Sequence, residues 1–215
     1  MPSGDIRLTL LGVGAMNSPI YAPAGLLIEY GRDRIMIDGG KSAEPKGKLS
    51  AWLVSDAKSE LAHDVRTRAR ARGLEPQVGK HRAGALVVAP MPVVHTSHPT
   101  YGYLIKFRGT KIVWAPEFLE FPGWARKADL MFADAASWDR PIRFARGAGG
   151  HACALNVATS AKAHGVKRLV FAHIGRPTIR AMNAGKKPPF GEFGEDKAVF
   201  LIRSRTRTSK HLRRP

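Results

Sequence analysis

The chain has 215 residues, 44% apolar and 24% charged, a globular composition with length for one full core and hardly for two. Thirty-five Lys and Arg face 17 Asp and Glu, a formal net charge of +18, which biases the partners toward anions: nucleic acid or a phosphorylated ligand. One cysteine, Cys153, excludes an intrachain disulfide and a multi-cysteine zinc site. No apolar run reaches the roughly 18 residues of a membrane span, and MPSGDIRLTLLGVG lacks a basic leader, so a cytoplasmic protein with no membrane partner is expected. Homo-oligomerisation is left open.

The first forty residues read as a meander of three strands, IRLTLLG, GLLIEYG and DRIMIDGG. Gly12 and Gly14 do not make a dinucleotide loop, because NSPIYAP places two prolines where that motif needs a helix. A short apolar segment, AWLV, leads into a helix over SDAKSELAHDVRTRARARG. Leu61, Val65 and Ala69 recur there at intervals of four, Ser59 caps the start and Gly73 stops it. Arg66, Arg68, Arg70 and Arg72 spread over its outer, solvated surface.

Strands follow at LVVAP, PVVH, GYLIKF and KIVWAP, with Gly109 turning the last pair. Then come the strand DLMFADA, a helix over HACALNVATSAKAHG opened by His151, the strand KRLVFAHIG, a short helix after Pro177 and a last strand AVFLIR. Meanders followed by strand and helix alternation imply an α/β fold, sheet on sheet with helices outside. The basic segment 204–215 has no hydrophobic period and reads as a disordered tail to a domain of residues 1–203.

Histidines and carboxylates recur at strand ends, where a scaffold projects side chains into a shared cleft. His95 closes PVVH, Glu117 follows KIVWAP, Asp134 follows DLMFA and His173 follows RLVFA. Their shared placement suits a metal site, although each taken singly also fits a capping or packing role. Trp114, Trp124 and Trp138 read as core residues, Cys153 as a packed thiol and His98 as part of a loop.

In order and spacing, LTLLGVGAMNSP, GLLIEYGRDRIMIDGG, VVHTSHPTYGYLI, IVWAPEF, DLMFADA and GGHACALNVATSAKAHGVKRLVFAHIGRP resemble the metallo-β-lactamase superfamily. The similar branch contains RNase Z and the cyclic-phosphate phosphodiesterases. The resemblance spans about residues 5 to 203 and implies a four-layer αβ/βα sandwich, with Asp38 at the Asp-rich turn. It also exposes a departure. Where the family carries His-x-His-x-Asp-His, this chain has Asp56, Lys58, Glu60 and Leu61, of which Leu61 cannot bind a metal and Lys58 binds one only when deprotonated.

The resemblance therefore implies a reduced site: His95, Glu117 and His173, with Asp56, around one divalent ion, zinc first and manganese or iron as alternatives. A metal-free state is the competing expectation, with Lys58 supplying the missing positive charge. The resemblance also implies that His151, paired with Asp134, protonates a leaving oxygen; on this reading Lys58 offsets phosphate charge, and Arg176, placed just after His173, meets an anionic substrate at the rim. The expected function is hydrolysis of a phosphodiester, in nucleic acid or elsewhere. A binding protein without turnover, and a hydrolase of small esters, thioesters or lactones, are the alternatives.

Overall fold

The computed structural model describes residues 4–203; the expected tail, 204–215, lies outside the described residues. Strands β1 (Ile6–Gly12), β2 (Gly25–Tyr30) and β3 (Asp33–Asp38) form an antiparallel meander, and β4 (Ala51–Leu53) joins it parallel to β3. Helix α1 (Ala62–Arg70) follows, then β5 (His81–Ala83), β6 (Leu86–Val93), β7 (Thr100–Phe107) and β8 (Thr110–Ala115), each of the last three antiparallel to the strand before it. Strand β9 (Leu130–Ala135) lies parallel to β8. A two-stranded ribbon, β10 (Ile142–Arg143) with β11 (Gly150–His151), precedes α2 (Ala154–Ala163). Strand β12 (Leu169–Ile174), α3 (Arg176–Asn183), β13 (Glu192–Phe193) and β14 (Val199–Ile202) complete the described chain.

Two sheets result, in the orders β14-β1-β2-β3-β4 and β13-β12-β9-β8-β7-β6-β5. Alternation places Ile6, Leu8 and Leu10 of β1 and Ile35 and Ile37 of β3 in the central core, because successive strand residues face opposite sides. They meet Ile105, Phe107, Trp114 and Phe132 of the second sheet, all fully buried. On the outer face of the first sheet, Leu27, Met36 and Trp52 pack against Val65 and Ala69 of α1. Ala154, Val157, Ala158 and Ala161 give α2 its buried face over β9 and β12. The layers are helix, sheet, sheet, helix.

Three differences from the sequence reading have local causes. LVVAP and PVVH form one strand, β6, in spite of Pro90 and Pro92. Strand β5 covers β6 only over Leu86–Val88, so beyond that point β6 is an edge where a missing N–H costs no ladder bond. The helix after GAGG begins at Ala154, not at His151. Its first amides are already committed, Ala154 to the Ser137 carbonyl at 2.8 Å and Leu155 to that of Trp138 at 3.1 Å. The arginines of α1 are not simply solvated: Arg68 and Arg72 pair with Glu44, Arg68 also with Asp64, and Arg66 and Arg70 with Glu75.

Polar ties join the two sheets, Tyr103 Oη donating to the Val54 carbonyl at 2.9 Å and Asp38 gathering several donors. Asp38, with φ of 55° at the end of β3, accepts hydrogen bonds from the Ser55 amide (2.6 Å), the Ser55 hydroxyl (2.7 Å) and Trp114 Nε1 of the opposite sheet (2.7 Å). Its own carbonyl accepts from Trp52 Nε1 at 2.9 Å. A buried donor left without its acceptor costs about 1–3 kcal/mol. Asp38→Ala strands three such donors, so chemical denaturation should show a loss of several kcal/mol, whereas Trp114→Phe, which removes a donor and strands none, should cost much less.

Candidate active site

The strand ends of both sheets deliver the expected side chains to one region. Asp56 follows β4 and is buried, with its carboxylate accepting from the Lys58 amide at 2.7 Å. His95 lies in the bend after β6, Glu117 two residues after β8, Asp134 inside β9 and His173 inside β12. The pairing of β12 with β9 slips between Phe171 and Ile174, and His173 has φ of 60°. Such a bulge re-aims a side chain, and a non-glycine residue in the left-handed region is a recognised sign of a constrained site.

Each carboxylate here faces an imidazole. His151 Nδ1 donates to Asp134 Oδ2 at 2.8 Å, and the fully buried Asp134 also accepts from the amides of Phe118 and Ala136. Glu117 lies between two histidines, its Oε1 3.2 Å from His173 Nδ1 and its Oε2 3.4 Å from His95 Nε2. His95 Nδ1 donates to the Gly150 carbonyl at 2.9 Å. The rings of His151 and His173 stack with centroids 5.1 Å apart, and His95 meets His151 edge-on at 4.6 Å.

The glycines before His151 serve this packing. A Cβ on Gly149, which has φ of +127°, would collide with the His95 carbonyl, and that carbonyl accepts the Gly150 amide at 2.7 Å.

Two expectations are corrected. Lys58 does not stand in for a cation in the site: its side chain is exposed and absent from the residues that line the inner cavity. His98, read as a loop residue, is the partner of Asp56, with Nε2 2.9 Å from both carboxylate oxygens. The three-residue interval from His95 to His98 was the available sign of a polar role.

The donors do not fit a resident metal ion as the resemblance implies. A zinc needs three or four donor atoms meeting about 2 Å from one point. His95 and His173 instead approach opposite oxygens of Glu117, and both oxygens of Asp56 face His98. Among the described residues no three His, Cys, Asp or Glu side chains converge as a metal group.

Two spaces flank His173. A small inner cavity of about 60 Å³ is lined by Asp38, Asp56, Glu60 and Glu117 among others. An open outer cleft of about 400 Å³ is lined by His151, Arg176, Met16, Ile142 and Phe144, with Ala15, Asn17, Ala136, Gly175 and Pro177. Arg176 is the first residue of α3, three positions after His173, and so reaches the cleft from the strand end.

This arrangement of two mixed sheets, outer helices and strand-end His and Asp residues can be compared with solved structures. The protein YhfI from Bacillus subtilis, described as a metallo-β-lactamase fold protein, superposes with a TM-score of 0.67 at 15% identity over 93% of this chain and 100% of that one. The fold is that of the metallo-β-lactamases. A diphosphatase from the PhnP family is similar at TM-score 0.67 and 17% identity over 92% of this chain and 97% of that one. So is human tRNase Z, short form, at 0.64 and 15% over 90% and 98%. No family model matches the sequence, and no curated protein matches it significantly. Among the described residues no helix is long and apolar enough to cross a membrane.

Electrostatics divides the histidines. Burial opposes charge on His151 most strongly, but Asp134, by charge and hydrogen bond, together with Glu117 and Glu60 outweighs it and raises the pKa above the usual 6.5. Burial, with repulsion from His151 and His95, takes His173 down to about 3 against an upward pull from Asp134. Burial takes Asp38 the other way, from 3.8 to about 6, although Ser55 and Trp114 oppose it.

Stability linkage follows by sign. The contribution of His173 is complete above 6.5 and is lost as pH falls toward about 3. That of Asp38 is complete below 3.8 and is lost as pH rises through about 6. Asparagine tolerates the left-handed backbone of position 173. In thermal melts, His173→Asn should flatten the acid-side fall in melting temperature; unchanged slopes would show that His173 does not titrate in this window.

Proposed function

We propose that the protein hydrolyses a phosphodiester in the outer cleft, with His151 as general acid and Arg176 as the anion's partner. One observation carries the reading: His151, pinned through Nδ1 by a fully buried Asp134, lines the same cleft as Arg176. That hydrogen bond fixes the tautomer and leaves Nε2 as the nitrogen that faces a ligand. The similarity of fold to a diphosphatase and to a tRNase Z supports a phosphate ester over a carboxylic one.

The chemistry can be written with this chain's own groups. Arg176 pairs with the non-bridging oxygens and stabilises charge that grows in the transition state. The attacking water's oxygen bonds to phosphorus and its proton passes to solvent in the open cleft; Glu117, which lines the inner cavity behind His173, is assigned no step. The bond to the leaving oxygen breaks as His151 Nε2 gives up its proton, which neutralises the departing alkoxide. No step is assigned to a metal ion, because the donors do not converge on one. The surplus positive charge supplies long-range attraction, which weakens with salt.

The departure at Lys58 and Leu61, together with the pairwise arrangement of donors, favours a second reading, anion binding without turnover. Turnover of bis(4-nitrophenyl) phosphate in the presence of a chelator separates the two. On the first reading His151→Ala lowers kcat by roughly 10²–10⁴-fold, the usual contribution of a general acid, and Arg176→Ala raises KM. Absence of turnover with Arg176-dependent binding of the same diester would establish the second. Turnover of esters, thioesters or lactones alone would move the activity to that class. Elemental analysis of the untagged protein gives an independent check: zinc, manganese or iron should be substoichiometric, and one equivalent lost on His95→Ala or His173→Ala would overturn the donor-geometry argument.

A further inference from the structure

We infer that the outer cleft takes a discrete small ester in which an anionic phosphate is joined to an apolar, flat group, and not a polynucleotide strand. The inference rests on the reading of the cleft as a phosphodiester site and names its substrate class. It begins with two side chains that burial does not explain. Met16 is 44% exposed and Ile142 38% exposed, and both line this cleft. Large apolar side chains gathered at the rim of a concave site mark a ligand surface more often than chance exposure does.

Their placement relative to the acid is fixed. Ile142 is the cross-strand partner of His151 in the ribbon of β10 and β11, so an apolar side chain sits one strand spacing from the proton donor. Phe144, two residues on, lines the same cleft and meets His151 edge-on, with centroids 5.6 Å apart and ring planes at 87°. Ala15, Ala136 and Pro177 extend the apolar wall. A phosphate bound by Arg176 and His151 therefore has aliphatic and aromatic surface beside it, in a volume of about 400 Å³, which is the size of a small-molecule site.

A polynucleotide would require different chemistry. Proteins that track a single strand line the groove with cations that follow the phosphates and with aromatic platforms for successive bases. Among the described residues lining this cleft, Arg176 is the one Lys or Arg. The arginine-rich face of α1, the obvious alternative track, is spent on Glu44, Asp64 and Glu75.

The test measures binding, so it does not depend on turnover. Methyl phenylphosphonate and methyl methylphosphonate are monoanionic diester mimics that differ in one ring. By calorimetry the phenyl compound should bind the full-length protein about tenfold more tightly, the effect of burying part of a ring. The variant Met16→Ser/Ile142→Ser, altered at exposed positions and checked for an unchanged melting temperature, should reduce that ratio severalfold. Equal affinities for the two probes, or a ratio that survives the double substitution, would overturn the inference while leaving the phosphodiester reading intact. Binding of neither probe would defeat both. A single-stranded RNA 12-mer that binds more tightly than the phenyl probe and competes with it would also overturn the inference, in favour of a polymer.

Discussion

The Asp38 carboxylate is the constraint on which the rest of the site depends. It sits between the two sheets beside the inner cavity, and it is tolerated there because three donors converge on it. A buried charge or hydroxyl without such partners would favour an open structure. Two of the donors come from Ser55, the neighbour of Asp56, and the third from Trp114, three residues before Glu117. The same hydrogen bonds that close the sandwich therefore set where the first sheet releases Asp56 and where the second releases Glu117. Fold stability and site geometry share one anchor.

Around that anchor the charges follow a single pattern. Asp56 faces His98, Glu117 faces His95 and His173, and Asp134 faces His151. A buried carboxylate demands a compensating partner, and in this chain imidazoles supply it pairwise. The pattern accounts for the absence of convergence among the described residues: Asp56 and Asp134 each turn toward one histidine and Glu117 splits its oxygens between two. It also assigns unequal duties to similar rings. His173 lies where burial and two neighbouring imidazoles keep it neutral, whereas Asp134 favours the charged form of His151. The two rings of opposite preference stack on one another, with centroids 5.1 Å apart, and both line the outer cleft.

Much of the scaffold was legible because its cues are local. Alternation in IRLTLLG and DRIMID, the interval of four at Leu61, Val65 and Ala69, and the Gly109 turn each depend on a few neighbouring residues. The site was legible in its residue types and strand-end placement, and much less in its pairings. Nothing near Asp56 announces His98, 42 residues away, because a contact made by sheet topology leaves no periodic trace. The left-handed backbone at His173 and the bulge beside it are equally silent, since LVFAHIG reads as an uninterrupted buried strand. His151 was misplaced onto a helix because helix starts are decided by which amides find partners, and Ser137 and Trp138 supply those partners from a distant loop. Lys58 occupies the register of a family motif histidine, and register alone does not show that its side chain is exposed.

The net charge of +18 invites a nucleic-acid reading that the distribution of that charge does not require. The α1 arginines carry their own counterions in Glu44, Asp64 and Glu75, and pairing of this kind adds little stability at a surface but removes the local field a polyanion would track. The remaining excess acts over roughly 8–10 Å at ordinary salt. Such a field raises the local concentration of any anion, small or polymeric, and selects neither. On the proposed reading, selection falls to the cleft itself, where Arg176 and the imidazoles of His151 and His173 are set against Met16, Ile142 and Phe144. If the cleft takes a phosphate ester as proposed, a lining with so few cations and so much apolar wall discriminates by the group attached to the phosphate.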